Sequence, residues 1–323
     1  MATTIPKMTI LQRYRDIQLC VYIERMSNIP GKLIVKHNAG FFSNCTVLLE
    51  AILSFYNTYG QTPSVLDTTG LFLWYAPDGA DSGIDVRSHY FLPEPTTPLI
   101  REENAKAAAL IRPGSLNYVQ QFSDYRDIDF FSIAPFMTDY FSVVPEIIAL
   151  ANAIQAKYDV DPANTCVIFH RGNDKGLEVR LPDYDDYAVR ARAVIEKFPG
   201  TKILLQSDET EFFTAFGGAF PEAVSFQAEI RHMSRRASTV DVECASIASN
   251  HEMSKNFLAI MLIMSRCRFV VCGSGNCAMW VALFRGNAKC VYQIPARMLD
   301  VVPSWILENR SDVCAVVPER NTV

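Results

Sequence analysis

No Cys-x-x-Cys pair, no run of basic residues and no long apolar stretch occurs in these 323 residues. The nine cysteines are an odd number at irregular spacings, and Cys166, Cys267, Cys272 and Cys290 sit in apolar context. They read as small buried hydrophobes in a reducing compartment, not as a disulfide framework. The net charge is −5, with neither a basic tail nor zinc-knuckle spacing, which argues against nucleic acid as a partner. The longest apolar stretch, Phe257–Met264, is far too short to cross a bilayer, and Met1–Ile10 lacks the apolar centre of a signal peptide. The expectation is a cytoplasmic protein, bacterial or from virus-infected host cytosol, without an integral membrane segment. His37, His89, His232 and His251 show no metal-ligand spacing. Also missing are G-x-G-x-x-G, G-x-x-x-x-G-K-[ST] and G-x-S-x-G, which argues against a nicotinamide enzyme, a P-loop nucleotidase and a serine hydrolase.

What is present is core material: 49% of residues are hydrophobic and 20% charged. The length suits two domains of ~150 residues each, here expected as 1–150 and 151–323. Lys32–Val35 reads as a strand and Thr46–Tyr59 as a helix, with Val47, Leu48, Ala51, Ile52 and Phe55 on one face and Gly60 closing it. Ser64–Asp67 reads as a second strand. The loop between the first strand and the helix holds Gly40 and Ser43, and such a loop offers N–H groups to a ligand. Residues 76–125, with the run Pro93–Pro98, read as irregular. Val144–Tyr158 reads as an amphipathic helix near the domain boundary. The second half alternates: strands at Val167–Phe169, Lys202–Leu205, Ala223–Phe226, Phe269–Cys272 and Cys290–Tyr292, separated by helices at Asp185–Phe198, Glu209–Phe216, Ser254–Ser265 and Ala278–Phe284. That order predicts an α/β fold with parallel sheets and right-handed crossovers.

Three strands of the second half end in polar or glycine-rich loops. The first places Arg171, Asp174, Lys175 and Glu178 within eight residues, so one loop can hold a diphosphate and handle a proton; the plain alternative is a solvated turn with incidental salt bridges. The second ends in Ser207-Asp208, where Asp208 either accepts from a ribose or base or caps the following helix. The third is Gly273-Ser274-Gly275-Asn276, whose N–H groups and hydroxyl suit a phosphate oxygen. Side chains alternate along a strand, so only one of His170 and Arg171 faces the crevice, and Arg171 is the favoured one. The triplets Asp127-Ile128-Asp129 and Asp183-Tyr184-Asp185 follow no clear strand and give a divalent ion little support.

Arg171-Gly172-Asn173-Asp174-Lys175 with Glu178, Gln206-Ser207-Asp208, Cys272-Gly273-Ser274-Gly275-Asn276 and Gly40-Phe41-Phe42-Ser43-Asn44 resemble, in order, the signatures of the α1,2-, α1,6- and protein O-fucosyltransferase superfamily. The resemblance implies a GT-B-like pair of facing Rossmann-like domains. It implies inverting, metal-independent transfer of a sugar from a nucleotide-diphosphate donor to a glycan hydroxyl, with no other cofactor. The acceptor would face the irregular loops of the first half. Carried over by position, Arg171 binds the diphosphate, Lys175 supports it, and Glu178, with Asp174 second, is the candidate base. Asn44 would lie near the reacting centre. The family's base-reading histidine is Phe169 here, and an acidic residue expected in the helix before the third signature is Ala259. The donor is therefore open between GDP-fucose and a uridine or thymidine donor of xylose or rhamnose, and a non-catalytic nucleotide- or carbohydrate-binding relative is the alternative. On this reading Arg171→Ala abolishes transfer and leaves the fold intact.

Overall fold

The computed structural model describes residues 22–23, 31–37, 39–81, 83–94, 116–234, 247–298 and 314–317. Pro95–Pro98 of the proline-rich run lies outside these residues, as does Met1–Ile10. Strand β1 (Tyr22–Ile23) is followed by β2 (Lys32–Lys36), helix α1 (Phe41–Tyr59) and β3 (Val65–Gly70). Helices α2 (Phe130–Phe141) and α3 (Pro145–Lys157) lead to β4 (Thr165–His170) and the short β5 (Val179–Arg180). Then come α4 (Tyr184–Lys197), β6 (Lys202–Ser207), α5 (Thr210–Ala219), β7 (Val224–Ser225) and α6 (Ile247–Arg266). Strand β8 (Phe269–Gly273), helix α7 (Asn276–Arg285), and strands β9 (Val291–Ile294), β10 (Arg297–Met298) and β11 (Cys314–Val317) complete the described elements. No helix among the described residues is long and apolar enough to cross a membrane.

The second sheet is parallel throughout, in the order β7-β6-β4-β8-β9. The chain starts at the centre with β4, winds outward through β6 and β7, then returns to the other side of β4 with β8. The crevice above the C-terminal ends of β4 and β8 is thus a topological switch point, the place where open α/β sheets bind ligands. The first sheet, in the order β1-β11-β2-β3, contains the parallel β2-α1-β3 unit that was expected. It also takes β11, antiparallel to β2, from the far end of the chain.

Alternation along β4 divides the packing. Cys166 and Ile168 face a core formed with α4 and α5, while Val167 and Phe169 face the larger core shared with the first half. Helix α6 is buried nearly all round at its centre; Leu258 through Met261 are inaccessible. Such a helix needs apolar residues on every side, which is why Phe257–Met264 is the longest apolar stretch. The expected boundary at 150/151 falls inside α3, and one core runs continuously from α1 through α6 and α7 to β4 and β8. Polar contacts join the halves as well: Thr46 donates to Asn276 at 3.0 Å and accepts from the Trp280 indole at 2.8 Å.

Helix α1 begins at Phe41, five residues before the expected Thr46. Ser43 and Asn44 look like loop residues, but Phe41 fills an aromatic cluster with Phe72, Tyr75 and Tyr90, and burying that ring draws the preceding turn into the helix. Helix α2 was not expected. Pro135 inside it reads as a breaker, yet Ile133, Phe136, Tyr140 and Phe141 are buried along one side. The two aspartate triplets serve helix starts. Asp129 caps α2, accepting from the Ser132 N–H and hydroxyl, and Asp183 precedes α4.

Glu50 on α1 accepts the Tyr118 N–H at 2.9 Å. Burial raises its carboxyl to about 7, against the opposing effect of that N–H. The unfolded chain ionises this group near its ordinary 4.5, so the native state loses stability as pH climbs from there to about 7 and keeps the full penalty above it. Glu50→Gln retains the acceptor and removes the charge. It is expected to leave stability nearly unchanged at acid pH and to raise it by about 2–3 kcal/mol at pH 8, read from urea denaturation at the two pH values.

Candidate active site

The residues after β4 cannot simply continue the strand. Asn173 takes a left-handed φ of 47°, and a Cβ on Gly172 would lie 2.0 Å from the Glu209 side chain. Glycine is required there because the backbone closes directly onto that carboxylate. Glu209 is itself inaccessible. It accepts the Asn173 N–H at 2.9 Å and the Tyr184 hydroxyl at 2.6 Å, and lies 3.1 Å from His170 Nε2. His170 thus points into the sheet's far face, with its other ring nitrogen 3.2 Å from the Tyr187 hydroxyl. Arg171 points the opposite way, as strand alternation requires.

Arg171 opens onto a cavity of about 420 Å³ that lies against both halves of the chain. Its guanidinium donates to Asp208, to Asp174 and, at 2.9 Å, to the Gly172 carbonyl. Burial disfavours the charge on Arg171, but Asp174 and Asp208 outweigh it and hold the group above its ordinary value, permanently protonated. Asp208 therefore neither caps a helix nor stands free. One carboxylate oxygen pairs with Arg171 and the other accepts the Gly172 N–H at 2.8 Å. Ser207 supplies the turn instead, accepting the Glu209 N–H at 3.0 Å. Lys175 is buried and donates to Glu178 at 2.9 Å and to Gln121 at 3.1 Å, with its ammonium 4.7 Å from the centre of the Phe122 ring.

The Gly273–Asn276 turn differs from expectation in its backbone. The Gly275 N–H donates to the Gln121 carbonyl and the Tyr125 hydroxyl, and the Asn276 N–H donates to Gln121 Oε1. Both were expected to be free for a phosphate; the turn at Tyr118–Phe122 occupies them. Ser274 keeps its role open. Its oxygen accepts from Gln293 at 2.9 Å and from the Ala296 N–H at 3.1 Å, so its own proton is left to donate into the cavity. Nearby, burial pushes the Cys277 thiol up to about 11 in spite of Arg171 and Lys175, so it is neutral and unreactive near pH 7.

All of the sequence-derived site residues line this cavity except one: Gly40, Ser43, Arg171, Asp174, Lys175, Glu178, Ser207, Asp208, Gly273, Ser274, Gly275 and Asn276 meet there. Asn44 does not. It is buried, donates to the carbonyls of Ala39 (2.8 Å) and Gly40 (3.2 Å), and accepts the Phe72 N–H at 3.3 Å. Its amide ties the loop before α1 to the Phe72 N–H across from it. Phe169 lines the cavity, whereas Ala259 is wholly buried in α6. Sequence reading missed Gln121, Tyr125 and Glu209. The first two lie in the segment read as irregular, and Glu209 reads as an ordinary acidic helix start. Among the described residues no three His, Cys, Asp or Glu side chains are grouped to hold a metal ion.

No protein-family profile and no curated protein matches the sequence. Solved structures of the NodZ α-1,6-fucosyltransferase are similar in fold. The form co-crystallised with GDP is 13% identical over 80% of this chain and 92% of that one, with a TM-score of 0.44. The form soaked with GDP-fucose is 14% identical over 84% and 99%, with a TM-score of 0.40. A further NodZ structure, from Bradyrhizobium, is 12% identical over 76% of this chain and 88% of that one, at 0.39.

Proposed function

We propose that this chain is an inverting, metal-independent glycosyltransferase that moves a sugar from a nucleotide-diphosphate donor to a glycan hydroxyl. The observation that carries the reading is the convergence of Arg171 and the Ser274 hydroxyl at the switch point of the parallel sheet, opposite the Gly40–Ser43 start of α1. A parallel sheet needs neither group to fold, and together they offer a fixed fork and a hydroxyl proton to phosphate oxygens.

The local charge shapes the mechanism. Arg171 and Lys175 face three carboxylates, those of Asp174, Asp208 and Glu178. A diphosphate therefore enters by exchange, not by filling an unopposed positive pocket. It takes over part of the Arg171 fork, and the carboxylate it displaces is freed from its ion pair just as the donor arrives. Asp174 is the more exposed of the two Arg171 partners. It becomes the general base that takes the acceptor proton, while Arg171 and Ser274 stabilise the departing nucleoside diphosphate. Glu178 orients Lys175 rather than acting directly.

The test is turnover with GDP-fucose, UDP-xylose and TDP-rhamnose, followed by release of nucleoside diphosphate. Asp174→Asn is expected to lower kcat by about 10²-fold or more with donor affinity equal or higher, because a competing carboxylate is gone. Glu178→Gln is expected to raise KM for the donor with a smaller change in kcat. A protein that binds none of GDP, UDP or TDP overturns the proposal. The second reading, a non-catalytic binder, draws on Phe169 and Ala259 at positions where the resemblance calls for base-reading groups. Nucleotide binding without release from any donor, with acceptor glycans supplied, would decide for it.

A further inference from the structure

Gln206, the last residue but one of β6, has a fully buried side chain, and among the described residues neither its amide oxygen nor its amide nitrogen has a hydrogen-bond partner. Both atoms of one carboxamide left unpaired is an arrangement that costs folding free energy and calls for a reason. The side chain lies against the cavity described above. Gln206 is the register partner of Phe169 on β4, so the two stand side by side on the same face of the sheet. Across from them on α6 are Asn250, Ser254 and Phe257, and Arg231 donates to Asn250 at 2.9 Å.

This end of the cavity differs from the Arg171 end. Phe169 and Phe257 give it apolar lining, and beside Phe169 the carboxamide offers one donor and one acceptor side by side. Phe169 and Arg171 are two positions apart, about 7 Å along the strand. A ligand whose phosphates lie at Arg171 and Ser274 therefore reaches Gln206 through a spacer the size of a ribose. A planar ring with a ring N–H next to a carbonyl satisfies both unpaired amide atoms at once. Guanine, uracil and thymine have that edge; adenine and cytosine lack the ring N–H beside it.

Building on the nucleotide-sugar reading, we infer that Gln206 is the residue that selects the donor's base, pairing its carboxamide with the lactam edge of an oxo-base while Phe169 packs on the ring. The amide is left unpaired in the protein because the base completes it.

The test is Gln206→Met, with Gln206→Leu as a second variant, assayed by thermal unfolding and by calorimetric titration with GDP, UDP, ADP and CDP. Removing an unpaired buried amide is expected to leave the unfolding temperature of the unliganded protein equal or higher. The same change is expected to weaken GDP or UDP, whichever the parent prefers, about tenfold, and to level the ranking of the four nucleotides. An unchanged ranking and affinity in both variants overturns the assignment while leaving the transferase reading in place. A marked fall in unfolding temperature in both variants also overturns it, because the amide then serves the fold. A parent that prefers ADP or CDP overturns it too. If the parent protein binds no nucleotide at all, the nucleotide-sugar reading fails first and this one with it.

Discussion

Arg171→Ala is expected to lower turnover by about 10³-fold or more, the scale on which removal of a preorganised group at a developing charge acts. The structure also changes what is expected of stability. Arg171 is the counter-ion of both Asp174 and Asp208, and the Asp208 side chain is only 10% exposed. Deleting the guanidinium leaves two adjacent carboxylates facing each other, so the fold loses stability, whereas the sequence alone implied that it stays intact. A loss of about 1–3 kcal/mol is expected, less than for a fully buried pair because Arg171 keeps partial access to water. Arg171→Lys separates the two effects. It restores a charge between the carboxylates but not the planar fork, so stability should largely return while turnover stays low. The measurements are donor turnover and urea denaturation on the same preparations. If the lysine variant turns over as fast as the parent, the bidentate role is lost.

Glu209→Ala is expected to be the most destabilising single change near the site. Glu209 takes hydrogen bonds from the Asn173 N–H and the Tyr184 hydroxyl and lies beside His170, with no exposure of its own. Truncation leaves these groups without their acceptor in the interior, for a loss on the order of 3–5 kcal/mol. It also releases the Gly172-Asn173 turn that aims Arg171, so nucleotide affinity should fall together with stability. Glu209→Gln keeps the shape and one acceptor oxygen and should cost less than half as much. Denaturation midpoints of the two variants check this. An alanine variant within 1 kcal/mol of the parent would show that the turn holds Arg171 without Glu209.

The alternation of apolar β-branched runs with amphipathic helices in the second half was legible because each period reports its own local burial. The strand at Val167–Phe169 and the helix at Asp185–Phe198 were found within a few residues of their observed limits. The start of α1 was not, because Phe41 is drawn into the helix by Phe72, Tyr75 and Tyr90, residues more than thirty positions away. Helix α2 was hidden by Pro135, a local signal that packing against the core overrides.

The same division runs through the site. Which residues end the central strands is written in the chain: a β run that stops at Arg171, Ser207 and Ser274 places those groups on one edge of a parallel sheet, since strands that share a direction share an end. How each group is engaged depends on partners distant in the chain. Asp208 became the counter-ion of Arg171 when β6 came to lie beside β4. Gln121 closed the N–H groups of the glycine turn from the other half of the molecule, and Asn44 turned from a reacting-centre candidate into a brace for its own loop. Hydrogen bonds and ion pairs are short-ranged and directional, so they are settled only when packing has brought the partners within about 3 Å.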